Sequence, residues 1–434
     1  MAAPRLLSTS LTTGSQPLVV AGDGMYLTLD DGRRVIDGTN TAAPLGHCHP
    51  EIVAAVREAA AAPALNEGMR WAVRESAAEA LLETAFAGED WVGAVRFFIS
   101  AGEANDVVLA LAQALTGRPA LATRERAYHG GVGFARELTV QPQWHGGVSY
   151  RERVMAPPRL ADVIELPAPS GARIAGPGPD RQADLAALGA AAPRLEGAAA
   201  ALIDYSQGGI YHQPYYQDRL AALAREAGTL WIADETVTGF GRMGHWFQFQ
   251  AGESRPDLVT MGKGLAAGGA PAGAAVLSRD LVERLEDGGW QTYSSYRAHP
   301  IQVAATETHV RVSARERLWE RAAGFDELMA REMRRLADAH PGVARIDGRG
   351  LHWTIELHGP DWRQWDGRDP DPLASRIAAR TLEASVLVAT SGEQTSLFIA
   401  PPLIVEEDEL MTILEAVDHG LALADEAAAQ RTDP

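Results

Sequence analysis

"TLWIADETVTGFGRMG" (residues 229–244) and, a little further on, "LVTMGKGLAAGG" (258–269) each open with a short apolar run that breaks off at a polar side chain. Runs of this length bounded by polar and glycine residues read as buried strands. Four more of the same kind lie in the middle of the chain: "VRFFIS" (95–100), "PALAT" (119–123), "AALID" (200–204) and "AAVLS" (274–278). Between two of them, "YYQDRLAALAREAG" (215–228) spaces Leu220, Leu223 and Ala227 along one helical face and stops at Gly228, the pattern of a crossover helix. The alternation predicts an α/β fold around a central, mostly parallel sheet. Ligands of such sheets bind at the carboxyl ends of the strands, which is where Ser100, Asp234 and Lys263 fall.

Lys263 is the one lysine among 39 lysines and arginines. Arginine can serve every surface charge and ion pair, but its pKa stays above about 12 and it cannot give up a proton to attack a carbonyl. A partly desolvated lysine can, so Lys263 is a Schiff-base candidate. Asp234 ends its strand 29 residues earlier. A lysine and an aspartate at neighbouring strand ends are the pair that pyridoxal phosphate requires: the amine holds the aldehyde as an imine, and the carboxylate keeps the ring nitrogen protonated. "FFISAGEANDVVLALAQAL" (97–115) leads from a strand through Ala101 and Gly102 into a helix expected to start at about Glu103. Free amides at such a start suit a phosphate dianion. "RAYHGG" (126–131) adds Tyr128 and His129 just after a strand, where an aromatic ring can stack on a pyridine. Each feature alone has a plainer reading: a surviving surface lysine, a strand-end helix cap, an ordinary turn, a packing tyrosine.

The rest of the chain sets bounds. At 434 residues and 46% hydrophobic, it can bury a large core and divide into domains. We expect an N-terminal segment of a small domain over 1–50, a large domain over 51–300 and the remainder of the small domain over 301–434. "GMYLTLDDGRRVIDG" (24–38) reads as a hairpin turning at Asp31-Gly32. Residues 301–339 read as helical and charged, leading into an α+β region with "GLHWTIEL" (350–357), and "LPAPSGARIAGPGPD" (166–180) as a surface loop. The N-terminal "MAAPRLLSTSLTTGSQPLVV" has no cationic stretch followed by a long apolar run, and no segment reaches a membrane-spanning length. A cytoplasmic protein is expected. The single cysteine, Cys48, excludes an internal disulfide and multi-thiolate metal sites, and no metal is expected at "GHCHP" (46–50). A net charge of −18 argues against nucleic acid and leaves a cationic substrate open.

Taken together, these motifs resemble the class III aminotransferases, fold type I pyridoxal phosphate enzymes of the ω-aminotransferase and glutamate-1-semialdehyde aminomutase kind. The likeness runs through "PLGHCHPEIVAAV", "SAGEAND", "AYHG", "DETVTGFGRMG", "PDLVTMGKGLAAGGAPAGA", "GRGLHWTIEL" and "FIAPPLIVEEDEL". It implies a smaller α+β domain built from both chain ends, and an aminotransferase moving an amino group from a small-molecule amine or amino-acid donor to an aldehyde or ketone. It also implies Lys263 as the Schiff-base and proton-shuttling residue, with Asp234 on the pyridinium. The backbone of Ala101 and Gly102 would hold the phosphate. Tyr128 would lie on one ring face, Thr236 near the other and Val237 beside it. The family is usually homodimeric, and a partner hydroxyl reaching the phosphate falls on Ser295, with Ser294 and Thr292 as neighbours. A mutase or epimerase would use the same Lys263 and Asp234. A binding module without turnover is the non-enzymatic alternative, disfavoured by the absence of a basic DNA-binding segment.

Three departures from the resemblance stand out. Ala101 and Gly102 stand where the family has glycine and serine, and Thr236 replaces a branched apolar residue. "VLVATSGEQTSLFIAPPL" (386–403) has no arginine, and none occurs from Thr381 to Gln430, although many members bind a substrate carboxylate with one there. A desolvated carboxylate needs a cation, so the expectation moves to amino sugars, aminoglycoside-like polyamines and simple amines. Several carboxylates around the pocket mouth would support this, while a pair of arginines facing Lys263 would sink it; Arg70, Arg74 and Arg242 are the arginines that could bind an acid.

Overall fold

The computed structural model describes residues 17–63, 66–141, 148–150, 153–155, 158–285, 289–358 and 371–431. Most of the N-terminal stretch read above for a leader lies outside them. Seven strands form the central sheet in the order Val92–Phe98, Gly273–Ser278, Leu258–Met261, Leu230–Asp234, Ala198–Asp204, Ala120–Arg124 and Val163–Leu166. Gly273–Ser278 runs antiparallel to both its neighbours, and the other pairings are parallel. The strands read as unbroken apolar runs because both faces are covered. In Leu230–Asp234, Leu230 and Ile232 pack into one core layer and Trp231 and Ala233 into the other. At about 1.5–3 kcal/mol for each large apolar side chain, this double burial holds the strand end, and Asp234 with it, in a fixed place.

Helix Ala101–Thr116 packs on the sheet through Val108, Leu109 and Ala112, and stops at Gly117 in the left-handed region, φ 69°. Helix Pro214–Ala227 begins with a proline and ends at Gly228, φ 64°, as a fixed φ at the start and a Cβ-free residue past the end favour.

The remaining described strands build two four-stranded sheets and an antiparallel pair, Val148–Tyr150 with Arg153–Met155. Val343–Arg349, His352–Leu357, Ser396–Ile399 and Ala389–Thr390 pair antiparallel. Val19–Asp23, Tyr26–Leu29 and Arg34–Asp37 form the expected hairpin and a further strand, and Val386–Leu387 adds to Arg34–Asp37 in parallel. The turn has Gly32 at φ 84°, donating to the Leu29 carbonyl at 3.0 Å. Both ends of the chain thus share one sheet, and Leu45, Ile52, Leu336, Trp353, Leu397 and Leu414 share one core.

Two expectations change. The helical stretch after Pro300 is two helices, Pro300–Glu316 and Leu318–Ala339, separated by Arg317 at φ 51°. No proline or glycine signals the break; burial of Leu318 accompanies it. The proline- and glycine-rich stretch 166–180 is not simply a surface loop. Ile174 donates to the Ile346 carbonyl at 3.2 Å, Ala172 is buried, and Arg173 pairs with Asp326 at 2.7 Å. It covers the edge strand Val343–Arg349, whose free backbone groups need partners. Among the described residues no helix is long and apolar enough to cross a membrane.

Candidate active site

Asp234, at the end of its strand, is 3% exposed and fully engaged. His129 Nδ1 lies 2.8 Å from its Oδ2, Asn105 Nδ2 donates to the same oxygen at 3.0 Å, and the Thr236 amide donates to Oδ1 at 3.0 Å. His129 is braced in turn by Thr123 Oγ1, 2.9 Å from Nε2. Burial alone would raise the Asp234 pKa, but the bonds from His129 and from the Thr236 amide overcome it and hold the carboxyl below its usual 3.8. The site therefore keeps a buried anion ionised, which is costly unless a cationic group completes it.

Opposite this anion is a helix start. The helix begins at Ala101, two residues earlier than expected, because Ser100 is its N-cap: the Ser100 hydroxyl accepts from the Glu103 amide at 3.1 Å. The Glu103 carboxylate accepts from the Ile99 amide at 2.9 Å and pairs with Arg297. Ser-x-x-Glu before an apolar run is a capping signature legible in "SAGE", and reading it would have put the start at Ala101. The Ser100 hydroxyl is thus committed, and the orphan amides of the first turn remain to meet an anion. Two glycines permit the approach. A Cβ on Gly273 would stand 2.2 Å from the Ser100 carbonyl oxygen, and one on Gly262 would stand 2.6 Å from Ala101 Cβ.

Lys263 follows Gly262 and opens a single 3-10 turn, Lys263–Ala266. Its side chain has accessible surface, but that surface faces two cavities. Enclosure by protein lowers the amine pKa, against Asp234 and Asp204, which raise it. Lys263, Tyr128 and Val237 line both cavities, and Asp234, His129 and Thr236 line the larger one with Ala101 and Gly102. The structure therefore gathers Ala101, Gly102, Tyr128, His129, Asp234, Thr236 and Val237 around Lys263, but not the candidates for the partner hydroxyl, Ser295, Ser294 and Thr292. Ser295 is exposed and lies outside the cavities of its own chain. Desolvation, followed by the Asp234 charge, raises the Tyr128 phenol pKa and keeps it neutral.

The larger cavity, about 490 Å³, is within the range of small-molecule sites. The smaller, about 280 Å³, is lined on its far side by the segment joining Ala389–Thr390 to Ser396–Ile399. His352 reaches it from the neighbouring strand, with Nδ1 2.6 Å from the Tyr211 hydroxyl. Desolvation, with Arg242 and Lys263, pushes its pKa down to about 3. The residues considered as binders of a carboxylate are occupied elsewhere. Arg70 pairs with Glu75, Arg74 donates to the Ala298, Asn66 and Met69 carbonyls, and Arg242 donates to the Leu351, Pro401 and Asn40 carbonyls. No arginine of the described residues lines either cavity. Among them no cluster of three or more histidine, cysteine or acidic side chains could hold a metal; His47 bonds Asp37 at 2.9 Å and Cys48 is exposed.

Sequence reasoning missed Asn105 and Glu393. Asn105 is the one polar residue among the buried, otherwise apolar side chains of its helix, a usable signal. Glu393 sits in an irregular segment with no periodicity to place it.

The model of the family described as "Aminotransferase class-III" matches residues 12–421. The chain belongs to the class III aminotransferases. It is 30% identical to the acetylornithine aminotransferase of Streptomyces coelicolor, over 94% of this chain and 92% of that protein. It is equally 30% identical to the ethanolamine-phosphate phospho-lyase homolog 1 of Caenorhabditis elegans, over 94% and 89%. A crystal structure of an S-selective transaminase from Arthrobacter sp. superposes with a TM-score of 0.88 at 25% identity, covering 98% of this chain and 97% of that one. The architecture is the fold type I transaminase fold. Enzymes of this family use pyridoxal 5'-phosphate and act on small-molecule amines and carbonyl compounds. The larger cavity of this chain fits that cofactor, since it is lined by an ionised buried carboxylate for a pyridinium, a helix start for a phosphate, and a lysine amine of lowered pKa.

Proposed function

We propose that this class III enzyme is an aminotransferase that moves an amino group from an amine or amino-acid donor to an aldehyde or ketone acceptor. The observation that carries the reading is Lys263, the chain's one lysine, enclosed where two cavities meet with its pKa lowered. When bound, the cofactor supplies an electron sink for the carbon next to the substrate nitrogen. Lys263 holds the cofactor and then, as a neutral amine, carries a proton from that carbon. Asp234 keeps the ring nitrogen protonated, and His129 and Asn105 hold Asp234 in place. The amides of Ala101 and Gly102 would take the phosphate, and Tyr128, Thr236 and Val237 would line the space for the ring. Ser295 of the partner subunit completes the phosphate site in a homodimer; its exposure fits that role.

We read the substrate as an amine without a carboxylate, with an amino sugar or aminoglycoside-type polyamine as the leading case, since no arginine lines the cavities. The phospho-lyase relative suggests elimination from a phosphorylated amine as a second reading. The carboxylate of Glu393 on the smaller cavity disfavours it, because a second phosphate would meet an anion. We further read the small domain as residues 1–50 with 301–434 around a large domain of 51–300, and the protein as cytoplasmic.

The test follows the visible absorption of the cofactor-loaded protein as alanine, glutamate, a simple primary amine and an aminoglycoside are added. Bleaching of the cofactor band establishes amino transfer and names the donor. Exchange of the substrate's α-hydrogen without bleaching shifts the reading to a mutase or epimerase. Release of inorganic phosphate from a phosphorylated amine shifts it to a lyase.

A further inference from the structure

We propose that Glu393 is the specificity-determining residue of the smaller cavity, receiving a second, cationic amino group of the substrate while the first reacts at Lys263. The inference rests on the aminotransferase reading and goes beyond it by naming the substrate class: diamines and amino sugars that carry an ammonium away from the reacting nitrogen.

The geometry is unusual for an acidic residue. Glu393 lines the same cavity as Lys263, yet its side chain belongs to a residue only 1% exposed. Its Oε1 is buried with no hydrogen-bond partner among the described residues. Buried polar atoms are almost always paired, and a carboxylate oxygen left alone costs more than a neutral one. Because Glu393 lines the cavity, a ligand bound there is the partner this proposal gives to that oxygen.

The surrounding charges point to a cation as that ligand. Behind the wall, Arg126 pairs with Glu356 at 3.3 Å, and Arg345 lies 3.5 Å from Asp347 and 4.0 Å from Glu356. Arg349 also acts on Asp347, so the carboxylates behind the wall have their own guanidinium partners, and Glu393 is the one carboxylate among the described residues that line this cavity. Desolvation raises the Glu393 pKa and Glu356 adds to it, while Arg126 and Ser391 act in the other direction without cancelling it. A cationic group bound in the cavity gives that carboxylate a partner of opposite charge. Nothing on the cavity wall repels it apart from Lys263 itself, since His352 is neutral. Thr39, Thr390 and Ser391 line the same cavity and offer hydroxyl partners suited to a hydroxylated or amino-substituted ring.

Three substrates of equal length test this on the cofactor-loaded enzyme: 1,5-diaminopentane, pentylamine and 5-aminopentanoate, whose far ends are cationic, apolar and anionic. In the native chain the diamine is expected to exceed pentylamine in kcat/KM by at least about tenfold, the value of one charge-assisted hydrogen bond, with 5-aminopentanoate the poorest. Glu393→Gln, which keeps the shape and removes the charge, should bring the diamine-to-pentylamine ratio close to one through KM. No preference in the native chain, or an equal loss on all three substrates in the variant, overturns the proposal. Calorimetric binding of the same three compounds to the native and Glu393→Gln proteins decides the matter without turnover. Diamine affinity lost in the variant supports the proposal even if none of the amines reacts, an outcome that would count against aminotransfer alone. Equal affinities overturn it.

Discussion

The two cavities that meet at Lys263 treat their buried carboxylates in opposite ways. In the larger, Asp234 is held by His129, Asn105 and the Thr236 amide, and its pKa falls below the ordinary value. In the smaller, Glu393 has an oxygen without a partner and its pKa rises. The first is a finished network on strand and helix ends, suited to one fixed group. The second lies on a connecting segment and is completed by whatever binds. On the proposal above, shared chemistry and individual substrate choice fall to different kinds of structure, rigid element ends and an irregular segment.

The strongest test of this contrast removes the groups that serve the larger cavity. Lys263→Ala should lower the amine half-reaction by at least about 10³-fold and Asp234→Asn by about 10² or more, for every amine tried. Single-turnover absorbance would measure both. If Asp234→Asn altered one substrate only, the division between the cavities would fail.

A smaller effect comes from the brace behind the anion. His129→Ala should cost about tenfold in the same assay, the value of a hydrogen bond to a charged group, and should move the acid limb of the pH profile. The sign follows from the depressed pKa. Asp234 is ionised above its folded value, and the stability it lends, present above the ordinary 3.8, is lost as pH falls through that folded value. Without His129 the folded value rises, so activity and acid stability should both fail at higher pH than in the native chain. An unmoved pH profile would show that His129 only fills space.

The smallest effects separate two glycines at the helix start. Gly273→Ala places a Cβ 2.2 Å from the Ser100 carbonyl oxygen and should cost about 1–3 kcal/mol in urea unfolding. At Gly102 the nearest atom to a new Cβ is 3.9 Å away. Gly102→Ser should therefore change stability by less than about 0.5 kcal/mol, while slowing cofactor release a few-fold by adding a hydroxyl at the phosphate. Equal destabilisation by both substitutions would mean that the helix start is less crowded than its contacts imply.

Much of this was readable beforehand, and the reason differs by residue. Asp234 and Lys263 stand at the ends of runs so apolar that only a doubly covered strand explains them, and strand ends of such sheets face ligands. Tyr128 and His129 follow from the same rule. The break at Arg317 was not readable, because a residue that leaves the helix only to let Leu318 dock gives no local signal. Nor was the docking of 166–180 on a sheet edge, since its composition describes turns and not what they touch.

The amino-acid sequence by itself determined the α/β architecture, the hairpin at Asp31-Gly32, and the lysine, aspartate and helix start of the cofactor site. These depend on periodicity, turn chemistry and residue type, which are local properties. Only the tertiary structure decided that His129 serves Asp234, that Arg74 and Arg242 are tied to carbonyl groups, and that Glu393 is buried on the wall of a cavity that Lys263 also lines. Each of these depends on which distant segment supplies a neighbour, and burial and charge balance become defined only when those segments meet.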